Sequence, residues 1–244
     1  DGVSRLGYRV AMGDVSGDGR ADVLAGQWQL GLGQEGGARL WLGRPVGDEP
    51  LLAVAAASTA DWTVMGPGGS DGAGYSVSIG DVDGVEPLDV LVHAYNGEDT
   101  EAGTPNNVGT VQVYLGLDGG PAEEPSLTYA GLANGDRFGE SCAPLGDLDG
   151  DGLAELLAVA AYDDTLGYQV GRPYVGWSQA PTAPTPLDFP GEPAGTHVGY
   201  SSAVIKDLTG DGVPDLAVGA PEHADPGTGV YAGAIYVYAG QAGG

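Results

Sequence analysis

Lysine is nearly missing from this chain. Lys206 is the only one, among 8 basic residues in 244. A face for nucleic acid or for an anionic membrane requires clustered positive charge, so neither partner is expected. Cysteine is equally scarce: Cys142 stands alone, and no disulfide can form within the chain. It lies in "ESCAPLGD" without a nearby base, which reads as a small core residue and not a reactive thiol. No apolar run approaches the ~18 residues of a membrane-crossing helix, so membrane insertion is not expected. The first residues do not read as a signal peptide, which suits either a mature secreted domain or an excised fragment. Gly and Pro interrupt every window long enough for a helix. Catalytic signatures are missing too. There is no GxSxG, no HExxH, and the three histidines, His93, His197 and His223, are dispersed. The expectation is a chain that is not an enzyme.

Glycine and acid are what the chain has in excess. It holds 46 Gly, well above the usual ~7%, yet 42% of its residues are hydrophobic, which excludes a disordered linker. Short apolar runs between glycines describe many strands and tight turns. The formal charge is −26, from 34 acids. General solubility accounts for some of it, and bound cations counted as bare charge for the rest.

Many of the acids recur in register. "GDVSGDGRADVLAG" at 13–26, "GDVDGVEPLDVLVH" at 80–93, "GDLDGDGLAELLAV" at 146–159 and "KDLTGDGVPDLAVG" at 206–219 align without gaps. A repeat of this length signals a propeller or a similar array. Each copy is preceded by a glycine–aromatic pair, Gly7-Tyr8, Gly74-Tyr75, Phe138-Gly139 or Gly199-Tyr200. Each is followed by a Gly-rich loop and a β-rich run, "ARLWLG", "GTVQVYLG", "RPYVGW" or "GAIYVYAG". A further segment follows in the first three: "DWTVMG", "SLTYAG" and "PLDFPG". That makes four strands per unit, A to D, with the acidic turn joining A to B. Strand B is apolar on both faces, as a strand sandwiched between sheets would be. The fold class is all-β: a β-propeller of four four-stranded blades, one domain over 1–244, with units at about 1–66, 67–131, 132–191 and 192–244.

Two carboxylates about 4 Å apart repel by roughly 1 kcal/mol in water and about 4 kcal/mol near a protein surface. A turn has no use for that crowding, but a cation does. Oxygen donors fall at positions 1, 3, 5 and 9, with a backbone carbonyl at position 7. The sets are Asp14, Ser16, Asp18, Arg20 and Asp22; Asp147, Asp149, Asp151, Leu153 and Glu155; and Asp207, Thr209, Asp211, Val213 and Asp215. Oxygen-only donors in this number suit Ca²⁺, and without soft ligands zinc does not fit. An EF-hand requires Glu at position 12 and flanking helices; position 12 here is Ala25, Val92, Ala158 or Val218. In the second copy Asp81, Asp83 and Asp89 remain, but position 5 is Val85. Three Ca²⁺ sites are expected, with 147–155 the tightest and 81–89 weak or empty.

These residues resemble the FG-GAP repeats of integrin alpha-subunit propellers and their bacterial relatives. The fourth copy, "VGYSSAVIKDLTGDGVPDLAVGAP", matches through Gly219-Ala220-Pro221, while the others end in "AGQ", "HAY" and "AAY". The resemblance implies Ca²⁺ hairpins on one face and partner binding on the other. That family usually closes with seven blades. Four units here leave three arrangements open: a partial propeller, a small closed ring, or half of a self-associated assembly.

The resemblance places the B–C and D–A loops opposite the turns, and on or beside those loops lie Trp28, Tyr95, Asn106, Asn107, Tyr162, Asp163, Asp164, Tyr168, His197 and His223. Loops concentrate function, and Tyr and Trp favour interfaces. The leading expectation is an extracellular or cell-surface Ca²⁺-binding module for adhesion or protein interaction. The alternatives are a carbohydrate-binding propeller and an accessory domain of a secreted enzyme, so the opposite face is expected to take a protein or glycan ligand.

Overall fold

The alternation of short apolar runs with Gly-rich turns produces sheets, as expected. The computed structural model describes residues 5–44, 59–66, 68–97, 107–148, 152–176, 185–187, 193–205, 207–225 and 227–240. Three four-stranded antiparallel sheets and one three-stranded sheet follow one another along the chain. The first holds β1 (Val10–Gly13), β2 (Asp22–Gly26), β3 (Gly37–Trp41) and β4 (Trp62–Met65). The second holds β5 (Ala73–Gly80), β6 (Asp89–Ala94), β7 (Thr110–Tyr114) and β10 (Leu127–Ala130). A small hairpin, β8 (Gly116–Leu117) with β9 (Gly120–Pro121), is inserted before β10. The third holds β11 (Phe138–Gly146), β12 (Glu155–Ala160), β13 (Arg172–Gly176) and β14 (Thr185–Pro186). The fourth holds β15 (Ser201–Ile205), β16 (Asp215–Ala220) and β17 (Ala234–Tyr238). Each sheet is an up-and-down meander, which places the A–B turns at one end and the B–C and D–A loops at the other.

Three apolar clusters hold the series together, one between each pair of successive sheets. Leu24 and Leu40 meet Val90, Val92 and Tyr114; Leu91 and Val113 meet Leu156, Ala158 and Tyr174; Leu157 and Val159 meet Leu216 and Val218. The sandwiched strands β6 and β12 are therefore buried along their whole length. This is what their two apolar faces anticipate.

A repeated backbone bond reinforces the stacking. The amides of Ala73, Phe138 and Val198 donate to the carbonyls of Glu35, Val108 and Val170 of the preceding unit, at 3.0, 2.9 and 2.7 Å. Close approach is possible only without side chains at some points. A Cβ on Gly26 would stand 1.9 Å from the Gly74 carbonyl oxygen.

One alignment made from sequence shifts. The residue in the left-handed region is Gly7, Gly74, Gly139 and Gly199 in the four units, with φ between +78° and +93°. Phe138 precedes that glycine and is core, equivalent to Ala73 and Val198. The residue that follows is Tyr8, Tyr75 and Tyr200 in three units, and Glu140 in the third. Among the described residues no element of the fourth sheet packs on the first as the successive sheets do. Among the described residues the sheets stand in series and form no closed ring.

Candidate functional site

Two ends of the sheets carry chemistry, and the acidic turns form the first. Their position-9 acid is buried in every unit: Asp22, Asp89, Glu155 and Asp215 are all at most 1% exposed. It has an internal task. Asp22 Oδ2 accepts the amides of Val15 and Ser16 at 2.9 and 3.1 Å, and its Oδ1 accepts the Gly43 amide at 2.7 Å. Asp215 does the same for Leu208, Thr209 and Gly240, and Asp89 for Val82 and Gly116. Glu155 accepts the Leu148 amide. Each of these acids pins the A–B turn, and in three units the same carboxylate also pins the chain leaving strand C.

Position 1 has a second pattern. Asp14 takes the amides of Gly17, Asp18 and Gly19, and Asp207 those of Gly210, Asp211 and Gly212. Asp147 accepts the Gly152 amide. Burial acts to raise the Asp14 carboxyl, but those amides outweigh it and hold it below the ordinary carboxylate value. At position 5, Asp18 is held by Arg20 in an ion pair of 2.6 Å, and Asp211 caps the Val213 amide.

The second turn, ranked lowest because Val85 replaces the oxygen at position 5, is where carboxylates converge. Among the described residues, one oxygen each of Asp81, Asp83 and Asp89 lie within 4.8 Å of one another. In the first and fourth turns the Ser16 and Thr209 amides donate to Asp22 and Asp215, with Arg20 and Val213 at position 7. Asp149 and Asp151 fall outside the described residues, so the four-acid set of the third turn is represented by Asp147, Leu153 and Glu155. The donors are hard oxygens throughout, which fits a hard divalent cation.

The opposite end carries an aromatic band that crosses unit boundaries. Tyr8, Trp28, Tyr75 and Tyr95 lie with ring centroids 5.0–5.9 Å apart. Arg137 continues the band, over Tyr95 at 5.5 Å and over Tyr162 at 4.2 Å, and Tyr162 meets His197 at 4.7 Å. Arg5 covers Trp28 at 5.0 Å. Cation–π contacts of this kind contribute ~0.5–1 kcal/mol when exposed and ~2 or more when desolvated.

Beside the band lies Glu140, only 2% exposed. No hydrogen bond of good geometry reaches its carboxylate oxygens. Burial raises its pKa, and the Tyr75 hydroxyl, Arg137 and Arg9 offset part of that rise. Of the loop residues expected from sequence, Trp28, Tyr95, Tyr162 and His197 are brought together. Tyr168 is exposed, His223 bonds Tyr236 instead, and Asn106 lies outside the described residues. Sequence reading missed Arg5, Arg137 and Glu140. The alignment of the positive-φ glycines is the signal that finds them.

A buried acid pair lies nearby. Asp163 is bonded by Thr165 and by the Tyr174 hydroxyl, and Asp136 faces it. Burial, then the charges of Asp163 and Asp164, push Asp136 up to about 7 from 3.8. The folded chain thus keeps the proton from about pH 4 to 7 where the unfolded chain has released it, so stability falls as pH rises through that window. Asp136→Asn is expected to raise the melting temperature by about 2–4 °C at pH 8, the equivalent of ~1 kcal/mol, and to leave it unchanged at pH 4. Equal gains at both pH values would contradict the pairing.

Comparison with known proteins agrees with this architecture. The FG-GAP repeat family matches residues 198–238. Integrin alpha-PS2 of Drosophila melanogaster is 32% identical over 229 residues, covering 89% of this chain and 15% of that protein. Human integrin alpha-IIb is 36% identical over 151 residues, 60% of this chain and 14% of its own length. Integrin alpha-V of Gallus gallus is 29% identical over 222 residues, 89% of this chain and 20% of the relative. The chain therefore spans a fifth or less of each of these relatives. Over most of its length the chain is similar to integrin alpha subunits, with an FG-GAP repeat at 198–238, and it is built from stacked antiparallel sheets.

Proposed function

We propose that this chain is a non-catalytic module for adhesion or protein–protein interaction, working outside the cell, with Ca²⁺ bound in the A–B turns. The observation that carries the reading is the division of labour between the two ends of each sheet. Oxygen donors alone fill one end, and the Asp81, Asp83 and Asp89 cluster there has the spacing a single cation would bridge. Aromatic side chains with Arg137 and Glu140 fill the other. When bound, the cation neutralises carboxylates that otherwise repel; the position-9 acids keep the turns in shape through their own amide bonds. Bound cation then acts on stability, and recognition falls to the aromatic band. Tyr and Trp are favoured anchors in such interfaces because they bring large rigid area with a polar tip. The integrin alpha relatives support an interaction role.

The test is attachment of bead-coupled chain to a panel of surfaces coated with purified extracellular proteins, run beside a glycan array. Wild type is expected to hold to one or more protein surfaces, with the Trp28→Ala/Tyr95→Ala double variant at least tenfold weaker and no glycan retained. Binding confined to the glycan array would favour the carbohydrate reading and overturn this one.

A further inference from the structure

Backbone bonds join the acidic turns of successive units at positions beside their acids. In the second turn, 81–89, the Leu88 amide at position 8 donates to the Asp14 carbonyl, at position 1 of the first turn, at 3.1 Å. In the third, 147–155, the Ala154 amide is again at position 8. It donates to the Val82 carbonyl, at position 2 of the second turn, at 2.8 Å. A further bond runs from the Gly119 amide, between β8 and β9 of the second unit, to the Ser16 carbonyl at 3.0 Å. The tips touch as well: a Cβ on Gly17 would stand 3.1 Å from Pro87, and one on Gly84 2.2 Å from the Gly152 carbonyl oxygen.

These bonds run into the position-9 acids. Leu88 and Ala154 immediately precede Asp89 and Glu155. Asp89 accepts the Val82 amide at 2.6 Å, so Val82 is held at its N–H by its own turn and at its carbonyl by the next. Its side chain is buried in the apolar cluster shared with the third unit, as Val15 is in the cluster shared with the second. The fourth turn, 207–215, breaks the pattern. Its position 8 is Pro214, which has no amide hydrogen to donate.

We propose, resting on the Ca²⁺ reading of the turns above, that cation binding is cooperative across the first three turns and that the fourth binds apart from them. A turn that closes on a cation fixes its peptides at positions 1 and 2. Their carbonyls are the acceptors that position 8 of the next turn meets. That next turn then has less conformational freedom to lose when it closes, and positive coupling follows without a shared ligand. Coupling between sites is typically ~5–150-fold in affinity, and by linkage it is reciprocal.

Hydrogen exchange of the intact chain, read turn by turn against free Ca²⁺, gives each turn its own binding midpoint. Asp83→Asn disables the second turn, and circular dichroism in chelator matching wild type confirms that it folds. The midpoints at 14–22 and 147–155 are then expected to rise about fivefold or more, and that at 207–215 by less than about twofold. Asp18→Asn is expected to raise the 81–89 midpoint by a similar factor. Ala154→Pro removes the amide between the second and third turns, keeps every oxygen donor, and places there the residue that the fourth turn already carries. In that background Asp83→Asn is expected to leave the 147–155 midpoint where it was. Unshifted midpoints at 14–22 and 147–155 in Asp83→Asn overturn the cooperativity and leave the Ca²⁺ reading standing, as does an equal shift in all four turns. Wild-type exchange that ignores Ca²⁺ in every turn overturns both.

Discussion

Asp22→Ala is expected to lower the melting temperature by about 10 °C in the presence of chelator, where no cation contributes. The Asp22 carboxylate is fully buried and accepts three backbone amides, from Val15, Ser16 and Gly43. Val15 and Ser16 are themselves buried. Alanine leaves those donors without an acceptor, and each unsatisfied buried donor costs about 1–3 kcal/mol. The total is then at least ~3 kcal/mol, a large part of the 5–15 kcal/mol that holds a typical domain together. Asp22→Asn keeps one acceptor oxygen and is expected to fall between wild type and alanine. Asp18→Asn, at an exposed carboxylate paired with Arg20, is expected to change the chelated protein by under ~1 kcal/mol. Thermal melts of the three variants in chelator check this, and a loss from Asp18→Asn equal to that from Asp22→Ala would contradict the distinct roles of positions 5 and 9.

Returning Ca²⁺ should have the other large effect. A site at 100 times its dissociation constant adds about 2.7 kcal/mol, so three add about 8. Wild type is therefore expected to melt about 15–30 °C higher in millimolar Ca²⁺ than in chelator, at ~2–4 °C per kcal/mol. Asp83→Asn removes one of the converging carboxylates and should forfeit roughly one site's share of that gain. Melts that coincide with and without Ca²⁺ would leave the acidic turns as hydrogen-bonded turns and nothing more.

Much of this architecture is written in the sequence in forms that physics makes readable. Strands sandwiched between sheets must be apolar on both faces, and β6 and β12 are. An A–B turn that closes on itself needs an oxygen at fixed offsets, and the aspartates at 14, 81, 147 and 207 recur for that reason. What sequence does not show is which donor each oxygen meets. Asp22 and Asp215 have ligand spacing, yet the folded chain also employs them to gather amides from two turns distant in sequence. The missing oxygen at position 5, Val85, likewise ranks the second turn last, whereas Arg20 holds Asp18 and the Val213 amide engages Asp211, and Asp81, Asp83 and Asp89 converge. Glu140 was obscured by a neighbour: Phe138-Gly139 mimics the glycine–aromatic pair, but the left-handed backbone belongs to Gly139 and sets the true alignment. The Asp136 and Asp163 pairing joins the chain entering β11 to the chain leaving β12, which the pairing of those two strands brings together.

Hydrogen exchange read by mass spectrometry, on the intact chain in Ca²⁺ and in chelator, tests the central claim most directly. The account predicts that chelation speeds exchange in the acidic turns at 14–22, 81–89, 147–155 and 207–215, while the aromatic band around Trp28, Tyr95 and Tyr162 keeps its protection. Exchange that does not change on chelation, or that changes at the band and not at the turns, would contradict it.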